Sequence, residues 1–341
     1  MSFFRKNISE LEPYVPGKQP KENIVKLNAN ENPYPPSPKV VSAIDNFSKD
    51  NLRLYSDAVS EEVRKAAANS FRVNTDEIIV GNGSDDILTI IVRSFLETDG
   101  KIAVVDPSYT LYETLAEIHG VETEKFSLEE DYSLPESYFG TKAKVKFLPN
   151  PNAQTGTLFP QENIVRLCAE SRGVVVIDEA YAAFANVTSI PLIKEFKNLV
   201  VLRTLSKSHS LAGMRIGFGI AEAEIVSGLM KVKDSYNVNS LSQVAATAAL
   251  QDESYVQKNI EKIIETRNWF ASALTDRGWE VVPSEANFVL AKPSIGEAKD
   301  IFAELEKSGY LVRHFSTPRL NDKLRFSIGT KEQMLGLLEK L

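Results

Sequence analysis

The sequence predicts an α/β protein in which a mostly parallel central sheet carries helices on both faces and a smaller α+β domain follows. Three observations predict it. Short apolar runs, "EIIVG", "KIAVVD", "VKFLP", "GVVVID", "NLVVLR" and "RIGFGIA", recur up to residue 221. Near-continuous apolarity of that length marks strands covered on both faces. Helical segments lie between successive runs, as strand–helix–strand units require. Past residue 220 the pattern changes to long helices and then short strands.

The elements follow in order. Residues 1–38 are rich in Pro and Asn ("PYVPGKQP", "NANENPYPPSP") and read as an extended arm packing on the small domain. "EEVRKAAANSF" reads as a helix. "EIIVG" is a strand feeding "SDDILTIIVRSFL", a helix whose apolar positions are Ile87, Ile90, Ile91 and Phe95. "KIAVVD" is a strand and "YTLYETLAEIHG" a helix stopped by Gly120. "VKFLP" precedes the helix "QENIVRLCAESRG", and three apolar strands follow. The segment "ESYVQKNIEKIIETRNWFASALTDRG" is a long helix; "WEVVPS", "NFVLAK", "YLVRHF" and "KLRFSIG" are short strands. The expected division is an arm over 1–38, a large domain over 39–254 and a small α+β domain over 255–341.

Composition narrows the function. The 341 residues are 43% hydrophobic and 25% charged, enough chain for a large core in two domains. A net charge of −7 argues against nucleic acid as the main partner. Cys168 is the only cysteine, so no internal disulfide forms and a reducing compartment fits. Within "NIVRLCAESR" it reads as a small buried hydrophobe. The opening "MSFFRKNISELEPY" lacks the apolar run of a signal peptide, and no segment approaches the roughly 20 apolar residues that span a bilayer. The expectation is a cytoplasmic protein with no membrane partner and no metal site.

Chemistry should lie beyond the carboxyl ends of the strands. "IIVGNGSDD" sets Gly81, Gly83, Ser84 and Asp85 between a strand and a helix. Such a start offers free N–H groups to an anion, or is an ordinary cap by Ser84 or Asp85. "VVVIDEAYAAF" ends a buried strand at Asp178, which meets a cation or serves as a structural ion pair or cap. Tyr181 is a second polar group there, or a packing tyrosine. "LVVLRTLSKSHSLAGMR" sets Lys207, with Ser206 and Arg215, after the next strand. A lysine at a strand end in a water-poor site is a usable nucleophile. A phosphorylated cofactor with a ring nitrogen and an aldehyde, pyridoxal 5′-phosphate, would use all three. The helix start and Arg215 would hold its phosphate, Asp178 its protonated nitrogen, and Lys207 its aldehyde carbon.

On these residues the chain resembles the fold-type I pyridoxal-phosphate aminotransferases, and among them the histidinol-phosphate aminotransferase family. The motifs are "PYVPGK", "LNANENP", "GNGSDD", "DPSY", "PNPNAQTG", "IDEAY", "RTLSKSHSLAGMRIGFG" and "LRFSIGT". The resemblance implies that Lys207 is the Schiff-base lysine, that Asp178 holds the pyridine nitrogen, and that Tyr181 and Asn152 bond the ring hydroxyl. It implies that Gly83, Ser84 and Asp85 wrap the phosphate with Thr204, Ser206 and Arg215, and that Tyr109 stacks on the ring. Tyr55 would reach the phosphate of the neighbouring subunit in a homodimer with shared sites. Arg325 and Arg313 would hold substrate anions, with Tyr14, Asn30 and Asn237 in the substrate pocket. The family commonly reads Asn-Asn-Pro-Thr-Gly where this chain has Asn152-Ala153-Gln154-Thr155-Gly156. That departure leaves Asn150 or Asn152 to meet the ring, and Asn152 is preferred here. The implied reaction is a ping-pong transfer from histidinol phosphate to 2-oxoglutarate. A broad-range or aromatic aminotransferase and a phosphothreonine-type decarboxylase are the alternatives.

Overall fold

The computed structural model describes residues 3–11, 18–19 and 24–341. Thirteen strands, β1 to β13, form three sheets among the described residues. The largest has seven strands: β2 (Ile78–Asn82), β3 (Lys101–Asp106), β4 (Glu122–Ser127), β5 (Val145–Pro149), β6 (Val174–Asp178), β7 (Leu199–Thr204) and β8 (Ile216–Ala221). Their spatial order is β2-β8-β7-β6-β5-β3-β4. Pairing is parallel except where β8 meets β2 and β7. The central strands are mostly buried because they are largely apolar on both faces: β6 reads Val-Val-Val-Ile-Asp and every residue is buried. Helices Glu61–Phe71, Ser84–Phe95, Leu111–His119 and Gln161–Glu170 fall on the predicted segments. Gly120 ends the third with φ 84, a left-handed cap that glycine adopts without strain.

Beyond the large sheet, helix Glu253–Asp276 leads to four antiparallel strands in the order β12-β13-β10-β9. These are β9 (Glu280–Val282), β10 (Phe288–Lys292), β12 (Arg313–His314) and β13 (Leu324–Ser327). Their core joins Phe270, Phe288 and Phe326 to Tyr181 and Phe184 from the end of the large sheet. Arg267 ties the long helix to both parts, donating to the carbonyls of Phe184 and Ala286 and to Glu285. The described end of the arm adds β1 (Val25–Lys26) in parallel to β11 (Tyr310–Leu311). Cys168 is 3% exposed, and burial pushes its thiol up to about 12. Among the described residues no helix is long and apolar enough to cross a membrane.

Candidate active site

Lys207, Asp178, Arg215 and residues 83–85 gather at one edge of the large sheet. β3, β5, β6 and β7 are parallel and end there. β8 runs the other way, so it begins there. Thr204 pairs with Gly217 and Asn82 with Ile216, so the last residues of β7 and β2 flank the first of β8. Arg215 stands just before β8 in a left-handed conformation, φ 53. This reversed strand brings Arg215 to the same edge as residues 83–85.

At that corner, helix Ser84–Phe95 starts at Gly83 with no side-chain cap. Its first N–H groups are therefore available to an anion, and the helix dipole favours one. Arg215 donates to Asp85 Oδ2 at 3.1 Å and lies 3.5 Å from Ser206 Oγ. Thr204 Oγ1 accepts from Ser206 N at 3.1 Å, and donates to Ile216 O at 3.0 Å. The Asp85 carboxylate would repel a phosphate, so Asp85 can serve one only through its backbone; its side chain orients Arg215 and Tyr109, whose hydroxyl lies 3.3 Å away. Close approach is built in. A Cβ on Gly217 would lie 2.2 Å from Ser84 N, and one on Gly83 2.4 Å from Arg215 Nη2.

Asp178, 6% exposed, ends β6. It accepts from Tyr112 Oη at 2.7 Å and from Ala180 N at 3.1 Å. Burial raises its pKa to about 6, against the lowering by Tyr112 and Ala180. Tyr112 is fully buried, and burial followed by the charge of Asp178 keeps its phenol neutral. Tyr112 was missed in the sequence. The available signal was its place in the first turn of the helix that follows "DPSY".

Lys207 sits in the short helix Leu205–Ser208 that follows β7. Its Nζ donates to Ala29 O at 3.1 Å and lies 5.8 Å from the centre of the Tyr181 ring. The segment "LNANENP" clasps this region. Asn32 Nδ2 donates to the carbonyls of Lys207 and Ser208, and Asn30 Nδ2 donates to Tyr181 Oη at 2.9 Å. Asn30 is 2% exposed and also joins Ser327. It thus ties Tyr181 to the small sheet's Ser327. His209, next to this helix, has Nδ1 2.8 Å from Ser208 Oγ; burial, then Arg203, lowers its pKa to about 4.

On the small sheet, Arg313 pairs directly with Arg325 across β12 and β13. Opposed residues share a face, so the two cations stand together, with guanidinium carbons 5.3 and 5.2 Å from the Phe315 ring. Arg325 Nη1 donates to Ala153 O and to Gln154 Oε1, each at 3.0 Å. Asn152 is fully buried: Nδ2 donates to Pro107 O, and Oδ1 accepts from the N–H groups of Gln154 and Thr155. Asn150 is bound at both ends to the backbone of Phe159.

Two expected residues lie elsewhere. Tyr55 is 83% exposed and stacks on Tyr236, ring centres 4.4 Å apart. Asn237 donates to Val80 O on edge strand β2 and to Asp86 Oδ2 in the first turn of helix Ser84–Phe95. That uses both its amide hydrogens and sets it apart from the arginine pair. Tyr14 lies outside the described residues.

A buried acid and a lysine amine at adjacent strand ends, beside an anion cradle, define an enzyme that works through a phosphorylated aldehyde cofactor. The model of the class I and II aminotransferases matches residues 22–341, and the chain belongs to that family. Histidinol-phosphate aminotransferase of Syntrophotalea carbinolica is 46% identical over 346 aligned residues, spanning 100% of this chain and 99% of the relative. The same enzyme of Citrifermentans bemidjiense is 45% identical over 339, spanning 98% and 96%. The crystal structure of histidinol-phosphate aminotransferase from Sinorhizobium meliloti in complex with pyridoxal-5′-phosphate superposes with a TM-score of 0.90 at 25% identity, covering 99% of this chain and 96% of that one.

Proposed function

We propose that this chain transfers the amino group of histidinol phosphate to 2-oxoglutarate, in a ping-pong reaction dependent on pyridoxal 5′-phosphate. The observation that carries the reading is the placement of Lys207 and Asp178. They follow and end neighbouring strands, and Arg215 with the start of helix Ser84–Phe95 stands at the third strand end. The donor set fits the group: an amine for the aldehyde, a buried carboxylate for the ring nitrogen, and N–H groups with a guanidinium for the phosphate.

When bound, the cofactor supplies an aldehyde for the amines to exchange on and a protonated ring that draws electron density from the reacting carbon. The protein residues do the rest. Asp178 keeps the ring nitrogen charged, and Tyr112 holds that carboxylate in place. Lys207 anchors the cofactor through Nζ. Once displaced, the same amine takes the proton from the substrate carbon bearing nitrogen and redelivers it. Ser84, Ser206 and Arg215 hold the phosphate, with Thr204 Oγ1 fixing Ser206 beside it; Tyr109 covers the ring, and Tyr181 Oη bonds the ring hydroxyl, oriented by Asn30. Three of the four hydrogen-bonding positions of Asn152 go to backbone, which leaves one amide hydrogen for that same hydroxyl.

Substrate selection falls to Arg313 and Arg325. Like charges directly opposed on a sheet repel, and an anion between them removes the repulsion. A guanidinium fork suits both the phosphate of histidinol phosphate and the carboxylates of 2-oxoglutarate. We infer a homodimer in the cytoplasm, in which Tyr55 serves the neighbouring subunit, and a division into arm, large and small domains at residues 38 and 254. The test is to supply the purified, cofactor-loaded protein with histidinol phosphate and 2-oxoglutarate and follow glutamate. Glutamate formation at a rate well above that with phenylalanine as donor is expected. Carbon dioxide release, or a preference for phenylalanine, overturns the reading.

A further inference from the structure

The loop after β5 carries a side chain that the chemistry above does not use. Gln154 is 9% exposed. Its Oε1 accepts from Arg325 Nη1 at 3.0 Å, and its Nε2 donates to Ser108 O at 3.2 Å. Ala153 O takes a second hydrogen bond from the same Nη1, also at 3.0 Å. Both hydrogens of that nitrogen are thereby committed. A guanidinium is a rigid plane, so anchoring one terminal nitrogen on two acceptors fixes the direction of the whole fork. The Phe288 and Phe315 rings, 5.0 and 5.2 Å from its carbon, hold the plane further. Gln154 is itself restrained, because Ser108 adjoins Tyr109 at the end of β3. The amide thus bridges the large sheet's edge to an arginine of the small sheet.

We propose that Gln154 is a positioning residue that orients Arg325 and so sets the site's affinity for substrate anions. This rests on the reading of Arg325 as the anion-holding residue. The neutrality of the amide is what makes it suitable. A carboxylate at the same point would satisfy the geometry but neutralise the guanidinium and compete with the substrate. An apolar side chain of equal length would leave the arginine less constrained.

Two variants of the holoenzyme test this: Gln154→Glu and Gln154→Met, near-isosteric with the native side chain. The readouts are the dissociation constant of succinate, a dicarboxylate that cannot be transaminated, and KM and kcat for both substrates. Gln154→Glu should weaken succinate binding and raise both KM values by about tenfold or more. Gln154→Met should do so by roughly three- to tenfold. In both, kcat should change less than about threefold, since the interaction acts on binding. The absorbance of the bound cofactor without substrate should be unchanged. Wild-type succinate affinity in a folded variant, a loss confined to kcat, or failure of both variants to fold would overturn the proposal. Absence of turnover of histidinol phosphate by the unaltered enzyme overturns only the substrate reading, because the ratio of succinate affinities reports on Arg325 alone.

Discussion

Asp178 is held at about pH 6 by burial, against an ordinary carboxyl value near 4. In the cofactor-free protein this costs about 3 kcal/mol at neutral pH. The sign follows from the raised value. Below about pH 4 the carboxyl is protonated in both states and nothing is lost; stability then falls as pH rises through about 6. His209 acts in the opposite sense, because burial holds it at about 4. Its favourable contribution is present above about pH 6.5 and is lost as pH falls toward 4. Asp178→Asn keeps an acceptor for Tyr112 and removes the charge. We expect the cofactor-free variant to match the parent near pH 4 and to exceed it by about 3 kcal/mol above pH 6.5. Urea unfolding across that range checks this, and a difference independent of pH would refute the burial argument. In the loaded enzyme the same substitution should lower kcat by roughly a hundredfold or more, with a smaller loss of cofactor affinity.

At the scale of elements, the cradle depends on how closely β8 passes the start of helix Ser84–Phe95. A Cβ on Gly217 would meet backbone atoms, Ser84 N at 2.2 Å and Gly83 C at 2.4 Å, which cannot rotate away. Gly217→Ala must therefore push the helix start off the strand. Cofactor affinity, read by absorbance titration, should fall by about tenfold or more, one or two phosphate hydrogen bonds being lost. Normal affinity would mean that the helix start does not hold the phosphate. The elements themselves were largely legible in the sequence. β5 to β8 are mostly apolar, and such runs have few other places to go. β4, "ETEKFS", was not anticipated. It is an edge strand, mostly exposed and charged, and only its pairing with β3 marks it as a strand.

At the scale of the molecule, Tyr55 is exposed in the single chain, while its proposed ligand belongs to a neighbouring subunit. Mixed dimers test this arrangement. In a Tyr55→Ala chain paired with a Lys207→Ala chain, one of the two sites regains both residues. Co-expressed chains should show activity above the sum of the two variants alone; no gain in a confirmed dimer would place Tyr55 outside the site. The arm also acts at this scale. β1 joins the small sheet's side through β11, and a few residues later Ala29 and Asn32 hold Lys207.

The sequence alone determined the layered α/β architecture, because apolar runs alternating with helical segments can bury themselves in few other ways. It also placed Lys207, Asp178 and Arg215 at the ends of apolar strands, where a buried charge such as Asp178 needs a partner. Only the tertiary structure decided what lies across the fold. Tyr112 reaches Asp178 from a helix 66 positions earlier, and Gln154 meets Arg325 from 171 positions away. The reversal of β8 sets Arg215 beside Gly83. Local pattern records which face of an element is apolar; which polar groups meet depends on the order in which the strands pair.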